Sequence, residues 1–278
     1  MALAGSAGPS LAQDIVGHRG ASYDAPENTM SAFMTAWDQE ADGIEGDFYF
    51  TKDQRIVCIH DANTERTGGK KLDVAKSTLA ELQALEYGKW KDTKFDGEPI
   101  PTFDEVLRSI PAGKLFVVEL KTGPDIVPLL KKRIDAAKRT DIRMLIIAFN
   151  AETVKACKKQ LPNVRAHWLT SFKQDKETKA WAPSAAQVAK TIADCSADGI
   201  GFRGERAVLN DSFVAEIKAG GCKEFHVWTI DDPQDAEYFK KLGAVGITTN
   251  RPKFIRDSLA AKPTVDDASP SAVQGNKE

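Results

Sequence analysis

Short β-branched runs alternate with amphipathic runs along most of this 278-residue chain, and the strand-like runs number eight, starting near residues 14, 43, 115, 143, 165, 199, 224 and 245. Strand–helix alternation repeated eight times points to the α/β class and to a TIM-type (β/α)8 barrel. An open doubly wound sheet is the alternative, but no G-x-G-x-x-G follows the first run, Asp14–Arg19. The first helix is expected over Pro26–Gln39, where Met30, Phe33, Met34 and Trp37 recur at helical spacing behind a leading proline. Further helices are expected over 126–138, 151–160, 185–194, 211–219, 233–241 and 252–260.

The spacing is uneven in one place. A turn signal at Thr51–Gln54 leads into an extra extended run, Arg55–His60, and about 55 residues then separate His60 from Leu115. Residues 61–112, rich in Gly, Pro and charge, read as a small insertion after the second strand, inside a barrel spanning 14–261. Long loops in compact domains usually carry function, and one that leaves a strand's C-terminal end sits near the barrel mouth.

Composition narrows the function. Thirty-eight basic residues against 40 acidic give a net charge of −2, which argues against a nucleic-acid binder needing a basic face. No run of 18 apolar residues is present, so no complete membrane span is expected. None of the four cysteines forms a C-x-x-C pair, and Cys58, within an apolar run, reads as a buried small hydrophobe. Residues 1–13 carry no charge, and Ser10-Leu11-Ala12 fits a small-x-small cleavage pattern. They read either as the remnant of an export signal, implying a periplasmic or secreted protein, or as a disordered leader on a cytoplasmic one. Residues 262–278 read as a flexible polar tail.

The chemistry gathers at strand ends. His18 and Arg19 leave the first strand, Glu45 and Asp47 lie on the second, His60 follows the extra extended run, and Glu119 and Lys121 end the third. Strand side chains alternate, so Glu45 shares a face with Asp47, and Glu119 with Lys121. Ile44, Gly46, Val118 and Leu120 fall on the opposite face, toward the helices, which turns the charged set into the barrel. Three inward carboxylates repel by about 4 kcal/mol per pair at 4 Å and an effective dielectric of 20. A divalent cation relieves that repulsion, and all-oxygen ligation favours Mg²⁺, Ca²⁺ or Mn²⁺ over zinc. Three carboxylates, one such cation, Arg19 and Lys121 leave about one positive charge, a match for a phosphodiester. Two histidines with ordinary pKa values near 6.5 suit acid and base roles. His167 and His226 read instead as packed strand residues.

The run His18-Arg19-Gly20-Ala21, then Pro26-Glu27-Asn28-Thr29, Ala32-Phe33, Glu45-Gly46-Asp47 and Ile59-His60-Asp61 resembles glycerophosphodiester phosphodiesterases. Glu119-Leu120-Lys121, Val227-Trp228-Thr229 and Ile247–Pro252 fit the same family's later strands, so the resemblance spans about 14–256. It implies a barrel with a small insertion after the second strand. It implies one divalent cation, Ca²⁺ or Mg²⁺, held by Glu45, Asp47 and Glu119. It implies His18 and His60 as the acid–base pair; our own mechanistic expectation is His60 as base and His18 as acid. Arg19 and Lys121 would lie near the phosphate, and Trp228 is a candidate contact for the glycerol or alcohol part. Glu27 and Asn28 are expected to orient Arg19 and its loop. Asn250 stands where many members carry Asp, and is expected to leave the core assignment untouched.

The implied reaction is hydrolysis of a small glycerophosphodiester to glycerol 3-phosphate and an alcohol, with no nucleic-acid partner and no stable membrane insertion. The rivals are a lysophospholipase D or sphingomyelinase D-like phosphodiesterase, and a non-catalytic phosphodiester-binding barrel.

Overall fold

The computed structural model describes residues 13–261. The tail and all of the leader except Gln13 lie outside the described residues. Eight parallel strands close into a barrel: β1 Asp14–Gly17, β2 Gly43–Phe50, β3 Leu115–Leu120, β4 Arg143–Ala148, β5 Arg165–Thr170, β6 Gly199–Arg203, β7 Glu224–Trp228 and β8 Gly246–Thr249. Closure comes from β8 against β1, with Asp14 opposite Gly246 and Gly17 opposite Thr249. Eight helices make the outer shell: α1 Met30–Asp38, α2 Phe103–Ser109, α3 Val127–Ala137, α4 Ala151–Gln160, α5 Ala185–Cys195, α6 Asp211–Ala219, α7 Pro233–Lys241 and α8 Pro252–Ala260. No helix among the described residues is long and apolar enough to cross a membrane.

The alternation of strand side chains divides the core in two. Ile44, Phe48, Phe116, Val118, Ile146, Ile200, Val227 and Ile247 point outward and pack under the helices. Val16, Leu115, Val117, Leu145, Ile147 and Leu169 fill the barrel interior. Each fully buried Phe or Ile contributes about 1.5–3 kcal/mol through lost water contact. Phe48 joins the layers at the insertion side, meeting the ring of Phe103 edge-on at 5.4 Å and that of Phe116 at 5.8 Å.

Two departures from the sequence expectation have local causes. The helix expected from Pro26 begins only at Met30, because Asn28 adopts φ 58° and Thr29 caps the helix, its hydroxyl accepting from the Ala32 amide. The first strand stops at Gly17, because Arg19 (φ 55°) and Gly20 (φ 83°) turn the chain sharply. At Gly20 a side chain would also collide with the backbone of Ala32, 2.5 Å from a Cβ.

The segment 61–112 divides into two parts. Its first part packs on a small core of its own, Val57, Ile59, Val74, Leu82, Tyr87 and Ile100. Ile56–Cys58 pairs antiparallel with the end of β2, Phe48 opposite Cys58, and anchors that core to the barrel. The second part is α2, which the sequence reading left inside the insertion. Phe103, Val106 and Leu107 bury it in the barrel shell, and Thr102 with Glu105 closes a capping box at its start. A two-residue-per-strand hairpin, Lys173–Gln174 with Trp181–Ala182, follows β5 and was not anticipated either. All four cysteines are free and buried.

Candidate active site

The site lies at the C-terminal end of the strands, where a cavity of about 110 Å³ is lined by His18, Arg19, Glu45, His60, Glu119 and Lys121, with Phe149, His226 and Trp228 among its other walls. Asp47 lies just beneath, within reach of Lys121 Nζ at 3.3 Å and Arg19 Nε at 3.2 Å. The structure therefore brings together all the polar residues singled out at the strand ends, and Trp228 with them.

β2 and β3 run in register, with Asp47 opposite Glu119, so the inward carboxylates converge. Glu45, Asp47 and Glu119 can each offer one oxygen, all within 4.8 Å of one another. Burial pushes the Glu45 carboxyl well above its usual range, and the charges of Asp47 and Glu119 push it further. The same two causes, burial and then Asp47, raise Glu119 to about 7 against the pull of Lys121. Asp47 goes the other way: burial opposes its ionisation, but Lys121, Arg19, His60 and the Asn28 hydrogen bond together lower it to about 2. One oxygen of Glu45, Oε1, is buried with no hydrogen-bond partner. Buried carboxylates that repel each other, with an unpartnered oxygen among them, fit the donor set of a hard divalent cation.

The cationic residues are held by carboxylates. Lys121 Nζ donates to Glu119 at 2.7 Å. The Arg19 amide donates to Glu45 Oε2 at 2.9 Å and its Nη1 to Glu27 at 2.8 Å. Arg19 holds a left-handed backbone that costs a non-glycine residue about 1–2 kcal/mol, and those contacts hold it there. Glu27 fixes the guanidinium, as the sequence suggested, whereas the Asn28 side chain serves Asp47, donating to it at 2.8 Å and accepting from its amide.

Both histidines have one nitrogen engaged. His60 Nδ1 faces Asp61 at 2.8 Å, and Asp61 is held in turn by Arg66 Nε at 2.7 Å. His18 Nδ1 faces Asn250 Oδ1 at 2.7 Å. The Asn250 amide donates to Asp231, which turns its oxygen toward His18. His18 Nδ1 therefore carries the proton and Nε2 is bare. Burial, and then the charge of Arg19, lowers His18 to about 4. Asn250 touches the site directly, because β8 lies beside β1 and sets it behind the histidine, while the assignment of the core residues stays as the sequence suggested.

Arg66 went unnoticed in the sequence. It lies in the insertion and grips both oxygens of Glu27, at 2.7 and 2.8 Å, while reaching Asp61. It thus ties the partner of Arg19 to the partner of His60.

The sequence profile of the glycerophosphoryl diester phosphodiesterase family matches residues 18–254. The chain belongs to this family. A glycerophosphodiester phosphodiesterase of Caldanaerobacter subterraneus subsp. tengcongensis is 32% identical over 245 residues, 87% of this chain and 95% of the relative. One of Bacillus subtilis is 27% identical over 254 residues, 85% of this chain and 83% of the relative. Among solved structures, a phosphodiesterase of Oleispira antarctica in complex with the product sn-glycerol-3-phosphate superposes with a TM-score of 0.77 at 25% identity, covering 90% of this chain and 98% of that one. The closed eight-stranded barrel is thus the architecture of this phosphodiesterase family, and the cavity over Glu45, Asp47 and Glu119 opens at the barrel face where such enzymes place their active sites.

Proposed function

We propose that the protein hydrolyses glycerophosphodiesters to glycerol 3-phosphate and an alcohol, using a divalent cation and His18 and His60 as the acid–base pair. The observation that carries this reading is the convergence of three mutually repelling carboxylates, two cationic side chains and two imidazoles on one cavity.

Glu45, Asp47 and Glu119 would hold the cation, Ca²⁺ or Mg²⁺, whose chemistry there is that of a Lewis acid on a phosphoryl oxygen. Arg19 donates from Nη1 to Glu27, and its Nε lies 3.2 Å from Asp47 without making a hydrogen bond, which leaves Nη2 to donate to the phosphate. Lys121 has three N–H donors, two facing Glu119 and Asp47. Both residues neutralise charge as it builds on the phosphoryl oxygens.

The two imidazoles differ in what stands behind them. Asp61 places a carboxylate behind His60, which fixes its tautomer and balances positive charge that develops on the ring, the condition for a base. Only a neutral amide stands behind buried His18. To act as acid, His18 takes a proton from solvent onto its bare Nε2 as the anionic phosphodiester binds, and gives it to the leaving alkoxide. On that basis we keep His60 as base and His18 as acid. Trp228, its ring 5.5 Å from and edge-on to Phe149, offers an apolar wall to the glycerol or alcohol carbons.

The test is a panel of glycerophosphocholine, glycerophosphoethanolamine and lysophosphatidylcholine, followed by phosphorus NMR with EDTA and after adding Ca²⁺ or Mg²⁺. Glycerol 3-phosphate should form from the glycerophosphodiesters, stop with EDTA and resume with cation. A cyclic phosphate product, or a rate indifferent to EDTA, overturns the reading.

A further inference from the structure

Strand β6 reaches the mouth of the catalytic cavity by way of two glycines. Gly199 and Gly201 face inward against His167 and His226, whose buried rings stack on the barrel axis with centroids 5.2 Å apart. A Cβ on Gly201 would also lie 2.5 Å from Leu169, and both Leu169 and His226 line the catalytic cavity. Phe202 points the other way and packs with Phe172 and Phe213 under the helices. Strand alternation therefore turns the next residue, Arg203, to the cavity side at the C-terminal end of β6.

The register gives Arg203 a neighbour. β6 and β7 pair in parallel with Arg203 opposite Trp228, which is a wall of the cavity. Residues paired in this way share a face, so the arginine stem starts beside the indole. The corner beneath it is fixed: the Gly204 amide donates to the Trp228 carbonyl at 2.8 Å, and a Cβ on Gly204 would lie 2.4 Å from Ile230.

The guanidinium itself is uncommitted. Arg206, three residues on, is paired with Asp235 at 3.1 Å and lies over the Tyr238 ring at 4.6 Å. Arg203 is exposed and, among the described residues, has no carboxylate, hydrogen-bond or ring partner. Its planar fork of N–H donors matches a carboxylate or a phosphate. The cavity below holds about 110 Å³, short of the roughly 300 Å³ at which clefts enclose a whole drug-sized ligand. With the phosphate held at Arg19 and Lys121, one end of a glycerophosphodiester must project through the mouth. The departing alcohol is the end that needs the exit.

We infer that Arg203 is a specificity-determining residue that binds a negatively charged group on the alcohol part of the substrate, a carboxylate or a second phosphate. This deepens the proposed reaction and rests on it. Trp228 then packs on the alcohol's carbons while Arg203 selects its charge.

Two substrate pairs test this on the full chain with Mg²⁺ or Ca²⁺ present, by kcat/KM for release of glycerol 3-phosphate. Glycerophosphoserine and glycerophosphoethanolamine differ by one carboxylate. Glycerophosphoinositol 4-phosphate and glycerophosphoinositol differ by one phosphate. Wild-type protein should prefer the more anionic member of at least one pair by about fivefold, the effect of a charge pair left partly in water. The pair that shows the preference identifies the anion. Arg203→Gln should bring that ratio to within about twofold of unity, and Arg203→Glu should invert it. The residue is exposed, so neither change disturbs the barrel core. Turnover of all four diesters with no preference in either pair, or a preference that Arg203→Gln leaves intact, overturns the inference alone. Failure of wild type to release glycerol 3-phosphate from any of the four overturns the proposed reaction and the inference with it.

Discussion

Asn250 and His18 are 232 residues apart in sequence and share a 2.7 Å hydrogen bond, because the last barrel strand closes against the first. Asn250 also donates to Asp231, so its amide has a fixed orientation. Asn250→Asp would set two carboxylates against each other and cost about 1–3 kcal/mol. It should lower the melting temperature, and adding Asp231→Asn should restore it. In that double variant a carboxylate backs His18, and its pKa should rise from about 4. Thermal denaturation and NMR titration of His18 check the two halves. A single variant as stable as wild type would refute the charge argument.

Glu45 is the most strained of the three carboxylates. Glu45→Gln keeps the acceptor for the Arg19 amide and removes one charge from the cluster. In EDTA the variant should melt higher than wild type, by about 2–4 °C for each kcal/mol of repulsion relieved. Its cation affinity should fall by more than about tenfold, and turnover with it. Melting curves with and without Ca²⁺ separate the effects: wild type should gain stability from the ion and the variant should not.

Arg66 is 45% exposed, so its ion pairs contribute little to stability, about 0–1 kcal/mol. Its effect on turnover should be larger, because it holds the partners of both Arg19 and His60. Arg66→Ala should leave the melting temperature within a few degrees and lower kcat by about tenfold, in line with other supporting contacts around reactive groups. A rate equal to wild type would show that Glu27 and Asp61 hold their positions unaided.

Acid should weaken the fold through the axial histidines. His167 and His226 are held neutral by burial, their folded pKa values below the ordinary 6.5. Between that folded value and 6.5 the unfolded chain binds protons that the native state refuses, so each contributes stability present above pH 6.5 and lost as pH falls. The slope is at most about 1.4 kcal/mol per pH unit for each site. Glu45 and Glu119, raised rather than lowered, act in the opposite sense, so the comparison must be against a variant. His167→Phe should flatten the decline between pH 6.5 and 5 relative to wild type, as read by urea denaturation in EDTA.

The barrel was legible in the sequence because each of its strands and most of its helices announce themselves locally, by alternation or by the 3.6-residue period. The charged set was legible for the same reason: Glu45 with Asp47, and Glu119 with Lys121, are two apart on strands whose other face is apolar. What could not be read depends on closure. Nothing near Asn250 in the sequence says that β1 will lie beside it, and nothing near Arg66 says that the insertion folds back over Glu27. The helix Phe103–Ser109 was lost inside the insertion because only seven residues carry its period. His226 was read as a packed residue, and it is packed.

β6 carries glycine at both inward positions that face the imidazole pair. A methyl group at Gly201 would lie 2.4 Å from His226 Nε2, and one at Gly199 would lie 2.8 Å from His167 Nε2. The depth of the catalytic well is therefore governed by absent atoms on a strand that offers its floor no side chain. Restoring a single carbon there would tip the upper ring out of its berth and raise the floor, making Gly201 a remote control on which molecules fit.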